Sequence, residues 1–273
     1  MKKHLGVLVF LFFISLSYSN GNLPMRIELK TAQINIDPTN PQLYFERGYL
    51  YQQNEQYKEA IGDYLTSEKL GYSENALFYR QSESYYFNKE YQNALKAVTR
   101  YLKLLKKDVK GHKLKAKIYH KLKLYTEAAE SYRFVVQNME DIMPWDYIEF
   151  SKTVLEVSDQ NYSKATEIID EGLKRLGDNV LSLQLKKLEY FKLMGNPDKV
   201  INHYNYFILN TKRREFWYYK KAKYLAQIEK LEESKIALEQ AKMSIKFLSE
   251  RFQNLPSIKN LILKIDRLEK RTH

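Results

Sequence analysis

The stretch EQYKEAIGDY, residues 55–64, returns as KEYQNALKAV at 89–98 and as KLYTEAAESY at 123–132. Tyr57, Tyr91 and Tyr125 stand 34 residues apart, and so do Ala60, Ala94 and Ala128. A fixed step of this size marks a chain built from stacked copies of one small unit. The series continues more loosely. Tyr162-Ala165-Ile169 follows after 37 residues, Pro197-Val200-Tyr204 after 35 and Leu231-Ser234-Leu238 after 34. Six units result, at about 41–74, 75–108, 109–143, 144–180, 181–214 and 215–248.

The spacing inside a unit predicts its form. Upstream of Tyr57, residues Tyr44, Gly48 and Tyr51 recur at steps of four and three, which puts them on one helix face. Gly48 leaves room for a second helix, and Ala60 does the same on the helix that follows. Ser82, Ala116, Ser151 and Ala222 hold the place of Gly48 in later units, and Leu188 breaks the rule in the fifth. A short polar turn such as QQNEQ or FNKE joins the two helices. Each unit is thus a helix, a turn and an antiparallel helix. One such pair cannot bury its apolar face alone, so neighbours must stack on it.

Punctuation agrees. Pro38 and Pro41 mark the entry to the first unit, Pro144 opens the fourth, and Pro197 follows Gly195 and Asn196 in a turn. Ser151 and Tyr162 are 11 residues apart against nine for Gly48 and Tyr57, which predicts an insertion in VSDQN, 157–161. Residues 20–40 form an N-terminal segment with a lone helix at 25–36. Residues 249–273 carry Ile258, Leu261, Ile262, Ile265 and Leu268 at helical steps, the pattern of a capping helix that shields the last repeat.

Composition bounds the chemistry. The chain has 273 residues, no cysteine, 23 tyrosines and a formal charge of +12. Without cysteine there is no thiol nucleophile, disulfide or Cys-based zinc site. His112 and His120 lie eight apart among lysines, with no metal-ligand spacing. Neither a phosphate-cradling Gly-rich loop nor a Gly-x-Ser-x-Gly elbow occurs, and no cofactor motif is present. These absences argue against an enzyme. The start MKKHLGVLVFLFFISLSYSN has a basic beginning, an apolar run from Leu5 to Leu16 and small residues near Ser17 and Ser19. That is the pattern of a signal peptide over 1–19, too short to span about 30 Å of hydrocarbon. The expectation is an exported protein, periplasmic or secreted, with no membrane span after signal removal.

The pattern resembles the tetratricopeptide repeat family, in which helix-turn-helix units of this length place small residues on both helices and aromatics beside them. Tyr44, Gly48, Tyr51, Tyr57, Ala60 and Tyr64 carry the match best, with Tyr91, Ala94, Tyr125, Ala128, Tyr162 and Ala165 following. INIDPTNP, 34–41, is similar to the family's inter-repeat linker. The resemblance implies an all-α, right-handed superhelical α-solenoid that acts as a scaffold for protein-protein interaction.

It also implies that certain first-helix positions line a concave groove. These are Gln42, Phe45, Tyr49, Gln52 and Gln53 in unit one, and Ala76, Tyr79, Glu83, Tyr86 and Phe87 in unit two. Unit three supplies Lys110, Lys113, Lys117, His120 and Lys121. Phe45, Tyr49, Tyr79, Tyr86 and Phe87 become candidate contacts, and the four lysines a basic stretch. Some family members grip a peptide's C-terminal carboxylate with Lys and Asn in adjacent units; here only the Lys113–Lys117 half is present. Residues 101–125 hold nine lysines, no arginine and one acid, which suits an anionic partner. Export and the lack of arginine argue against nucleic acid. The expected partner is a protein or peptide of acidic character. The alternative is an anionic envelope glycan or lipid head group bound through the third repeat.

Overall fold

The computed structural model describes residues 22–158 and 161–272. The expected signal peptide lies outside the described residues, and the VSDQN segment falls partly outside them. Helices account for nearly all of the described chain, and no strand occurs among those residues. Two compact units divide it, one running to Asp141 and the other from Ile142 to His273.

The first unit starts with α1 (Leu23–Ile36) and adds three antiparallel pairs. These are α2 (Pro41–Gln53) with α3 (Tyr57–Lys69), α4 (Asn75–Phe87) with α5 (Tyr91–Leu104), and α6 (Val109–Lys121) with α7 (Tyr125–Asn138). The second unit holds α8 (Pro144–Val157) with α9 (Tyr162–Leu176), α10 (Leu181–Leu193) with α11 (Pro197–Asn210), and α12 (Arg214–Gln227) with α13 (Leu231–Lys246). The short α14 (Glu250–Gln253) and the longer α15 (Pro256–Thr272) complete it.

Among the described residues three helix starts carry an Asn or Asp side-chain cap. The Asn40 Oδ1 accepts from the Gln42 N–H at 3.1 Å, ahead of Pro41. Asp108 accepts from the Gly111 N–H at 2.6 Å, and Asn196 from Lys199 at 3.0 Å, with Pro197 in the first turn.

In five of the six pairs the turn between the helices holds a feature that composition hides. Glu55, Lys89 and Lys123 have φ of 59°, 64° and 61°, and Gly195 and Glu229 take 62° and 61° at the equivalent place. Each is the left-handed residue that ends the first helix. The next N–H reaches back five residues: Gln56 to Tyr51 O at 2.9 Å, Glu90 to Tyr85 O at 2.9 Å and Leu124 to Tyr119 O at 2.9 Å. This closure favours glycine, yet only the fifth pair has it.

The repeated small residues sit where the helices of a pair touch. Ala60, Ala94, Ala116, Ala128, Ala165 and Ala222 are fully buried. A Cβ on Gly48 would lie 2.8 Å from the Tyr64 ring and 3.2 Å from the Ala60 carbonyl oxygen. At two of the serines the hydroxyl finds a carbonyl across the pair, whereas Ser151 bonds Ile148 O of its own helix and the Tyr190 hydroxyl, each at 2.8 Å. Ser82 donates to Ala94 O at 2.9 Å and Ser234 to Ala222 O at 2.8 Å, so the buried hydroxyl is satisfied. Leu188 stands in the small position of the fifth pair, and α10 and α11 are the most loosely packed of the six pairs.

Helix α1 is tied to the first pair by the Lys30–Glu46 ion pair at 2.6 Å and through Arg47, which also joins α2 to α3. The Arg47 guanidinium reaches both Asp63 carboxylate oxygens at 2.7 Å and Thr31 Oγ1 at 3.0 Å. At the other end Ile258, Leu261 and Ile265 of α15 pack into a cluster with Leu225, Leu238 and Ala241. Ile262, which the periodicity places on that stripe, is exposed; it stands one residue round the helix from Leu261 and faces away. The two extra residues of the fourth unit divide between helix and turn. Helix α8 has 14 residues against 13 in α2, and four residues rather than three lead to the next helix.

Candidate functional site

The faces of α2 and α4 carry a connected set of polar and aromatic side chains. The Arg80 guanidinium lies 4.6 Å over the Tyr49 ring and 5.9 Å from that of Tyr79. Arg80 pairs with Glu83 at 2.8 Å, and Gln52 donates to the same Glu83 oxygen at 3.1 Å. The Tyr64 hydroxyl, from the pair's interior, donates to Gln52 Oε1 at 2.8 Å. Four first-helix side chains from two repeats are thus held in one network: Tyr49, Gln52, Arg80 and Glu83. Burial pushes the Tyr79 phenol up, with the Glu83 charge adding to it, so Tyr79 stays protonated at neutral pH.

The other aromatic candidates are more committed to packing. Phe45 stacks on Tyr72 with centroids 4.6 Å apart and lies against the buried Tyr64 at 5.8 Å. Phe87 is half-exposed but stacks on Tyr57 at 5.1 Å. Tyr86 packs on Phe87 at 5.4 Å and on Tyr91 at 5.8 Å. Thus Tyr57 and Tyr91, which open the helices before and after α4, both touch its expected groove residues. Beside Phe45 and Tyr49 an open cleft of about 350 Å³ runs between α1 and α2, lined also by Arg26, Leu29 and Lys30.

Along α6 the lysines Lys110, Lys113, Lys117 and Lys121 recur at steps of three and four. Lys110, Lys117 and Lys121 are exposed, whereas Lys113 is half-buried and engaged with neighbours. His112 and His120 are not loose surface groups. The His112 ring packs 4.0 Å from Phe134 and its Nε2 meets Lys106 O at 2.9 Å. His120 stands edge-on to Tyr125. Among the described residues no cluster of three or more His, Cys, Asp or Glu could hold a metal ion. No helix there is long and apolar enough to cross a membrane.

Sequence reasoning missed Arg80, which joins Tyr49 to Glu83. Its signal was an arginine three residues before the glutamate on a helix already assigned, a spacing that favours pairing.

This arrangement defines a class, an α-helical repeat protein whose pairs meet through small residues. The fold is that of a tetratricopeptide-repeat solenoid. A family model described as tetratricopeptide repeat matches residues 34–62, covering the linker, α2 and the start of α3. No curated protein matches the chain significantly. Among solved structures the chain is similar to the C-terminal part of a TPR repeat-containing protein from Cytophaga hutchinsonii. That likeness has a TM-score of 0.65 at 13% identity, over 91% of this chain and 98% of that one. A tetratricopeptide repeat protein from Parabacteroides merdae matches at TM-score 0.55 and 14% identity, over 94% of each chain. YrrB, described as a TPR protein with an unusual peptide-binding site, matches at 0.54 and 20%, over 64% of this chain and 89% of that one.

Proposed function

We propose that this chain is an exported, non-catalytic scaffold that holds a protein or peptide segment against the first helices of its repeats. The observation that carries it is the Tyr49–Gln52–Arg80–Glu83 network. Repeat stacking requires none of these four side chains as core, yet they are ordered across two repeats. Such a surface offers an aromatic face, a guanidinium and a carboxylate at fixed spacing, the kind of polar anchor set that recognition uses. YrrB, of the same fold, has a peptide-binding site. The signal-like start at 1–19 supports an envelope or extracellular location, and the Lys110–Lys121 face supports an acidic partner.

The test is crosslinking and affinity capture from envelope extract at low and moderate salt. Variants Tyr49→Ala/Arg80→Ala and Lys113→Glu/Lys117→Glu run beside the wild type. Loss of the captured segment with Tyr49→Ala/Arg80→Ala at both salt levels is expected. Unchanged capture by that variant refutes the network. Binding that collapses with salt and depends only on the lysines assigns the surface to an anionic glycan or lipid instead. An intact Met1 on the exported protein refutes the signal peptide.

A further inference from the structure

The fifth and sixth pairs contain a second open cleft, of about 450 Å³, that first-helix side chains dominate. Leu185, Glu189 and Lys192 of α10 hold the repeat positions that Phe45, Tyr49 and Gln52 hold in unit one. Lys223 and Gln227 of α12 are the equivalents of Tyr49 and Gln53. Leu188 lines the cleft and is also the residue that stands in the small-residue position. The most loosely packed pair, α10 and α11, thus carries the larger residue beside the opening.

Its walls are aromatic. Trp217 stacks flat on Phe207 at 3.9 Å, and Tyr204 and Tyr224 are 6.1 Å apart. Its charge is one-sided. Lys220 Nζ lies 3.9 Å from the Trp217 ring centre, and Lys192 Nζ lies 5.2 Å from Tyr204 and 5.9 Å from Tyr224. Among the described residues Lys192, Lys220 and Lys223 form no ion pair, and the one lining carboxylate, Glu189, already binds Lys186 at 2.6 Å. Burial and then the neighbouring Lys192 hold the Lys220 ammonium below the ordinary lysine range. Three lysines in one cleft, against a single carboxylate already paired with Lys186, repel one another, and an entering anion relieves that repulsion.

We infer that this cleft receives a partner segment in which Asp or Glu flanks an aromatic or large aliphatic side chain, the carboxylate meeting Lys192, Lys220 and Lys223. The exposed Leu185, backed by the buried Leu188 and Trp217, gives the apolar side chain a surface, which a bare phosphate or sulfate group does not need. The volume suits a few side chains. This inference rests on the scaffold reading and gives it a second anchor with a stated chemistry.

The test is selection from a random heptapeptide phage library on the full chain at moderate salt. Affinities of the selected labelled peptides then come from fluorescence anisotropy. Emission of Trp217, in a Trp145→Phe background that leaves it the sole tryptophan, reports where they bind. Peptides with Glu or Asp beside Phe, Trp or Leu are expected. They should change Trp217 emission and weaken about tenfold or more on Lys192→Gln/Lys220→Gln/Lys223→Gln. The corresponding triple arginine variant should keep them, which separates lost charge from lost folding. Peptides without acidic enrichment, or full affinity for the glutamine variant, overturn the inference. Peptides lost with Tyr49→Ala/Arg80→Ala but indifferent to these lysines remove the cleft and leave the scaffold standing. Recovery of no peptide removes both. Dextran sulfate or inorganic phosphate that moves Trp217 emission while acidic peptides do not also overturns it.

Discussion

Gly48 and Gly62 lie in the two helices of the same pair, and the same substitution should act on them with opposite sign. Both are interior helix positions, where alanine is favoured over glycine by about 1 kcal/mol. At Gly62 a Cβ meets nothing within 4 Å. Gly62→Ala should therefore gain about that amount. At Gly48 the new Cβ falls 2.8 and 2.9 Å from two Tyr64 ring carbons, well inside the roughly 3.5–4.0 Å of a comfortable carbon contact. Tyr64 cannot give way cheaply. Its ring is fully buried, its hydroxyl is bonded to Gln52 at 2.8 Å, and Phe45 lies against it. The Ala60 carbonyl, 3.2 Å away, blocks the other side. Overpacking of this kind costs about 1–3 kcal/mol, which cancels or outweighs the propensity gain. Gly48→Ala should thus be less stable than Gly62→Ala by about 1–3 kcal/mol. Urea denaturation followed by circular dichroism measures the difference, and one helix pair supplies both sites, so the same cooperative unit is read. Equal stability of the two variants would refute the close-approach account of the repeated small residue.

Other outcomes follow from single contacts. Lys89→Gly and Lys123→Gly should each raise stability by about 0.5–1 kcal/mol, because a left-handed φ strains any residue with a Cβ. Lys58→Gly inside α3 serves as the comparison; a similar loss in all three would sink the turn argument. Asp63→Asn leaves the Arg47 charge without its carboxylate and should cost about 3–5 kcal/mol; thermal melts and protease release of α1 would show it, and an unchanged melt would contradict it. His203 is buried, and burial holds its imidazole below the ordinary histidine range against the 2.9 Å contact with Gln184 O. The unfolded chain therefore takes up the proton first, and this group's stabilisation, complete above the ordinary histidine pKa, is lost as pH falls below it. Melting points at pH 7.5 and 5.5 should separate in the wild type and converge in His203→Phe; equal separation in both would exclude His203 as the cause.

The sequence alone carried the repeat because packing between paired helices demands small residues at a constant interval, and letters report size directly. Tyr57, Ala60 and their later copies needed no coordinates to be placed at a helix contact. Proline and asparagine likewise marked helix starts, since capping is local. The left-handed turn residues were not legible, because Glu55, Lys89 and Lys123 carry no glycine signature and only the backbone shows the closure they make. Arg80 was unreadable for another reason. Its spacing to Glu83 signals only a pair on one helix; Tyr49 and Gln52 belong to the preceding repeat, and only stacking sets which side chains of neighbouring repeats meet. The same holds for Lys192 and Lys220, which sit 28 residues apart in the chain. Their cleft lies beside Leu188, an exception the repeat pattern exposed in the letters. Only the tertiary structure turned that exception into a space with three lysines around it, since charge proximity depends on how two helices sit and not on the order of residues within either.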